Sequence, residues 1–339
     1  MSTKRTFRAA ATRLLTAGQG LRPPELGERR FLHPGPVRWL RALAWAIVLF
    51  FLIALAALPV IEALSPRQEH GGPAGLMANL VGAVMAVGAY ALAVWMAEGR
   101  KPSELALKPL LPELAAGMLI GAMMFAAVMS IMGGFGLYEI RSPDAAPVWT
   151  AAGRAVQSGV IEEVMIRAIL LRLIWRAFGP WIAFAISSAL FGFGHIANPD
   201  ATVFASVCIA LEAGVMLGAF YALTGRIWLS IGTHAAWNFT QGYLFGAAVS
   251  GGDFGPALAS STARPGLPEW LTGGAFGPEA SLPALVVCCA VGAAVMVLAW
   301  RMGHFARAVT RCEPSLRLSR SREPGSRTPG VGEGPLPPP

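Results

Sequence analysis

At 339 residues, 55% hydrophobic and only 14% charged, with mean hydropathy +0.55, this chain is too apolar for a water-soluble globular domain. Its formal charge of +8 follows the connections between apolar runs, so it calls for an anionic lipid surface and not for a nucleic-acid partner. The four cysteines, Cys208, Cys288, Cys289 and Cys312, form neither a disulfide framework nor a CxxC metal site.

Residues 1–41 form a basic N-terminal segment. Its first 24 residues are Arg-rich and free of acids, superficially like a transit peptide, but basic flanking of a first span is the simpler reading. Eight apolar stretches follow, at about 42–64, 74–97, 112–136, 148–170, 180–197, 202–224, 227–248 and 281–300. Each is near the ~20 residues that cross about 30 Å of hydrocarbon. The first three and the last are clear; glycines and polar residues interrupt the middle four. The expected fold is an all-α polytopic membrane protein with about eight transmembrane helices and a buried catalytic core, the membrane domain spanning 42–303. Residues 250–280, rich in Gly and Pro, read as the longest exterior loop, and residues 304–339 as a disordered basic and Pro-rich tail.

Nine Lys or Arg precede the first span, seven follow the last, and Arg100, Lys101, Lys108, Arg172, Arg176 and Arg226 fall in connections on the same side. The positive-inside rule makes that side cytoplasmic, with both termini facing it, in a multi-pass protein of the cell membrane.

Few ionisable residues lie well inside the spans: Glu162, Glu163, Glu212, Arg154 and Arg167, with His195 and His234 within or at the edge. Carboxylates in hydrocarbon are costly and are kept where they face a bundle interior and serve a use. Glu163 and Arg167 are four apart and can pair, while Glu162 points about 100° away with its carboxylate free. His234 and Asn238 share a face, as do Phe191 and His195, where Gly192 and Gly194 permit close helix approach. Bringing these helices together converges a carboxylate, two imidazoles and a carboxamide. Such a set activates water with oxyanion support, or holds zinc through two histidines and a carboxylate with one open position. Glu212 matches no motif, and its role stays open.

Glu162-Glu163 with Arg167, Phe191 with His195, and His234 with Asn238 stand in the order EExxxR, FxxxH, HxxxN. In this the chain resembles the CAAX prenyl endopeptidase and bacteriocin-processing (CPBP, or Abi) intramembrane proteases. The resemblance covers about 150–245, within a protease core of about 148–248, with a weaker family-like lead-in around Glu98 to Leu107. It implies an intramembrane endopeptidase of the CAAX-processing type acting on a membrane-associated peptide or protein. Glu162 would be the general base, His195 its partner, His234 and Asn238 the oxyanion donors, and Glu163 with Arg167 the pair that orients the site. A zinc set, if one exists, would be His195, His234 and Glu163; the shared face of His234 and Asn238 favours a glutamate-activated water without metal. The alternative function is a non-proteolytic membrane scaffold or bacteriocin-immunity protein of the same family.

Overall fold

Residues 20–65, 72–142 and 146–305 are described by the structure, a computed structural model. The basic segment up to residue 19 and the tail from residue 306 onward lie outside the described residues, as does the domain reading placed on them. The chain is almost wholly helical. Helix α1 is Arg38–Leu64, and α2 is Gly72–Ala93, continued by a π turn at Val94–Glu98. Helix α3 is Leu110–Gly134. Helix α4 covers 149–178: an α-helical start at Trp149–Gln157, π turns at Ser158–Glu162 and Val164–Leu171, then Arg172–Phe178. Helix α5 is Pro180–Gly194, α6 is Val203–Thr224, and α7 is Trp228–Phe239 with a π turn at Thr240–Leu244. After the short α8, Glu269–Thr272, comes α9, Leu282–Arg301.

Local chemistry sets these boundaries. Gly179, at φ 94°, turns the chain, and Pro180 opens α5 at the first helical position, where its missing N–H costs nothing. The Thr202 and Ser281 hydroxyls cap α6 and α9 by accepting from Ala205 and Ala284. Among the described residues, six helices are long and apolar enough to cross a membrane: α1, α2, α3, α5, α6 and α9, with mean hydropathies of 1.4 to 2.7. The apolar side chains on their outer faces, such as Ile47, Phe51, Val84 and Leu190, remain exposed, as a lipid-facing surface requires. This is a multi-pass membrane protein. Helices α4 and α7 carry the charged and polar residues and are packed inside.

Small residues let α7 sit deep in the bundle. A Cβ at Gly117 or Gly121 of α3 would fall 2.3 Å from the Leu229 carbonyl or 2.2 Å from that of Thr233. On its other side α7 meets α4, where a Cβ at Gly159 would lie 2.7 Å from Ala235 Cβ. Helix–helix association in lipid depends on such close backbone approach.

The connections gather at two ends. At one, β1 (Tyr138–Arg141) pairs antiparallel with β2 (Ser260–Ala263), Tyr138 opposite Ala263, and Asn198 donates to the Ser250 carbonyl at 3.0 Å. The Gly- and Pro-rich stretch expected to be a plain loop is therefore an ordered cap. Gly251 donates to the Phe276 carbonyl, Tyr138 to that of Thr272, and Phe254 and Phe276 are buried.

The opposite end holds a buried ion-pair cluster. Arg172 binds Glu98 at 2.7 and 2.9 Å, and Arg100 binds Glu98 at 2.7 Å and Glu104 at 2.8 Å through two nitrogens. Tyr90 donates to Glu104, and Arg226 pairs with Glu113. Arg100, Arg172 and Arg226, which the sequence places in connections, are neutralised in the interior. Glu98 and Glu113 join the acids buried at helix ends, because their partners come from distant parts of the chain.

Candidate active site

Helix α4 presents Glu162 and Glu163 at the junction of its two π turns. Such turns carry one extra residue per loop of backbone and recur at functional sites. Glu163 is fully buried, and its Oε1 accepts from Arg167 Nη1 at 2.7 Å and from His234 Nδ1 at 2.9 Å. The Arg167 guanidinium also donates to the Ala213 carbonyl, within the π turn at Ala210–Leu217 of α6, and stacks on Phe191 at 5.0 Å. Because a carboxylate can only accept, Nδ1 of His234 carries the proton donated to Glu163. Its Nε2 faces Glu162 Oε2 at 3.9 Å. That oxygen has no hydrogen-bond partner, although the Glu162 side chain as a whole is 36% exposed.

His195 follows the last turn of α5. Its Nδ1 donates to the Phe191 carbonyl at 2.8 Å. From span lengths alone His195 falls near the outer membrane edge, too shallow for Glu162 and His234. In the structure His195 and His234 nonetheless line one cavity. Phe191 joins the groups: its ring lies 4.8 Å from the His195 ring, 6.2 Å from the His234 ring and beneath Arg167. Gly192 is the glycine that lets α6 approach, whereas Gly194 has nothing near its Cβ position.

Asn238, one turn beyond His234, lines the same cavity but donates to Ser158 Oγ at 2.9 Å. Two spaces meet at these residues. A small cavity of about 40 Å³ is lined by His195, His234 and Asn238. An open apolar groove of about 550 Å³ runs between α1 and α5 and reaches Glu162, Phe191 and His195. Imidazoles and carboxamide thus line the small cavity, and Glu162 lines the groove that meets it at Phe191 and His195.

Contacts unite Glu162, Glu163, Arg167 and His234 directly, and His195 through Phe191. Among the described residues no three His, Cys, Asp or Glu side chains form a group able to hold a metal ion. Of the zinc set His195, His234 and Glu163, His234 Nδ1 is engaged by Glu163 at 2.9 Å. Three residues were missed by sequence reasoning. Ser158 is one turn before Glu162, a visible spacing that lacked a motif. Ser250 and Glu279 come from the cap, where no local pattern marks them.

Residues 144–240 match the family model described as type II CAAX prenyl endopeptidase Rce1-like. The match spans all three motifs. This segment is similar to the Rce1-like prenyl endopeptidases. Comparison with curated proteins and with solved structures found no match. The Rce1-like description carries a coarse activity, peptide-bond hydrolysis by a CAAX-type protease at a membrane.

Proposed function

We propose that this chain is a metal-independent intramembrane endopeptidase in which Glu162 activates the hydrolytic water. The observation that carries this reading is His234 lying between two carboxylates, with Nδ1 on Glu163 and Nε2 3.9 Å from the unpartnered Glu162 Oε2. A water about 2.8 Å from both of the latter atoms has normal hydrogen-bond lengths to each. Glu162 takes its proton as the oxygen attacks the scissile carbonyl, then returns that proton to the leaving amine. His195 lines the same groove as Glu162 and is the second group directed at the water. Protonated on both nitrogens, His234 balances charge with Glu162, Glu163 and Arg167, and with Asn238 it donates to the tetrahedral oxyanion. Ser158 holds the Asn238 carboxamide in place until substrate arrives.

The same reading gives eight crossings, α4 and α7 being the two polar ones. The ion-pair cluster and residues 20–37 then lie on the cytoplasmic side, and the β1–β2 cap on the exterior of the cell membrane. The substrate is a membrane-associated peptide or protein.

The deciding experiment uses purified protein in detergent or liposomes with a quenched-fluorescent membrane peptide panel that includes prenylated C-terminal peptides. Glu162→Gln lowers turnover by roughly 10²–10⁴-fold with unchanged abundance and thermal midpoint; turnover like wild type refutes the base assignment. Activity persists after chelation, and loss on chelation with recovery on adding zinc refutes the metal-free mechanism.

A further inference from the structure

The small cavity behind His195 and His234 has a second wall that the proposed mechanism does not use. It contains two buried acids, Glu212 from the π turn of α6 and Glu279 from the cap. Glu212 is 3% exposed, and its Oε1 has no hydrogen-bond partner. Glu279 is 2% exposed and fixed in place, its Oε1 accepting from the Ser250 backbone N–H and hydroxyl at 2.6 Å each. No lysine or arginine lines the cavity. The nearby Arg167 is already engaged by Glu163, the Ala213 carbonyl and the Phe191 ring. The imidazoles lining the cavity are hydrogen-bonded elsewhere, His195 to the Phe191 carbonyl and His234 to Glu163, so no cation is hydrogen-bonded to the two acids, and one with several donors is what such a wall lacks.

We propose that this recess is a subsite for a primary ammonium group. Its volume of about 40 Å³ equals room for about three waters. That suits the compact ammonium head with its three donors better than a broad guanidinium plane. Phe191 and His195 line both this recess and the apolar groove, so they separate it from the approach to Glu162. As a substrate subsite, the recess rests on the endopeptidase reading and holds the group just beyond the scissile bond. The ammonium then has two sources: a substrate lysine side chain, or the α-ammonium that hydrolysis creates on the C-terminal fragment.

The purified full-length chain, titrated with n-propylammonium and separately with the near-isosteric n-propanol, tests the recess without turnover. The amine binds saturably and raises the thermal midpoint, and the alcohol does not. Glu212→Gln and Glu279→Gln each weaken amine binding by roughly tenfold or more. Equal responses to amine and alcohol, or undiminished amine affinity in both variants, overturn the proposal. A variant that does not fold is replaced by Glu212→Asp or Glu279→Asp, which withdraws the charge by one methylene and also weakens binding. Peptides with lysine or norleucine after the cleaved bond then identify the source. A lysine preference lost in Glu212→Gln assigns the side chain; product inhibition by the free-amine fragment but not by its N-acetylated form assigns the new α-ammonium. Amine binding with no peptide cleaved upholds the recess and refutes the endopeptidase reading instead.

Discussion

Glu163 Oε1 serves Arg167 and His234 together, out of reach of solvent, whereas Glu162 one residue earlier opens onto the groove. This division was legible from helical spacing: residues four apart share a face, and the adjacent residue points elsewhere. The link from Glu163 to His234 was not legible, since it joins residues 71 positions apart. It alters what the pair should do on substitution. Glu163→Ala or Arg167→Ala alone leaves an uncompensated buried charge, with a loss of about 3–5 kcal/mol for a fully buried pair. Replacing both by leucine and methionine recovers only part of this, because His234 Nδ1 then lacks its acceptor. Chemical unfolding in detergent measures it, and a double variant no more stable than either single one shows that the two residues are uncoupled.

Long apolar runs revealed the helices, and among the described residues six of them are long and apolar enough to cross. The π turns escaped notice because a run of apolar residues carries no mark of an i→i+5 register. The two strands escaped because four residues such as Tyr138–Arg141 pair only through a partner more than a hundred residues away. At this scale the contact that brings the α7 imidazole to the α4 carboxylates is Gly159 against Ala235. Gly159→Ala puts a methyl 2.7 Å from Ala235 Cβ and pushes the two helices apart. A displacement near 1 Å costs about 10²-fold in rate when it moves a catalytic group. Peptidase activity therefore falls on that order while the protein still accumulates. Adding Ala235→Gly restores part of it; if the double variant is no better than the single, helix spacing is not the cause.

Across the whole molecule, the two ends hold the bundle by different means: hydrogen-bonded backbone in the cap and ion pairs at the other end. Counting basic residues by side located the second end but could not show that several of its cations are buried with acids. Burial alone would raise the Glu104 carboxyl; the Arg100 hydrogen bonds, the Arg172 and Arg100 charges and the Tyr90 hydroxyl outweigh it and hold Glu104 below the ordinary carboxylate range. A carboxyl whose folded value is depressed adds stability above its unfolded value, about 4.3 for Glu. That contribution is lost as pH falls from there through the lower folded value. The thermal midpoint in detergent should drop across this acid window, and Glu104→Gln should be less stable at neutral pH but flatter through it. Parallel profiles for variant and wild type would assign the acid sensitivity to other groups.

The groove between α1 and α5 has a rim of exposed apolar side chains, Ile47, Phe51 and Leu190 among them, and so opens sideways into the hydrocarbon. A substrate that arrives by this route is searched for in two dimensions. The concentration that governs its encounter with Glu162 is molecules per area of bilayer, not per volume of buffer. Adding empty lipid to proteoliposomes, with protein and peptide amounts held constant, dilutes that surface and slows cleavage in proportion, whereas doubling the aqueous volume around the same vesicles leaves the rate per enzyme unchanged.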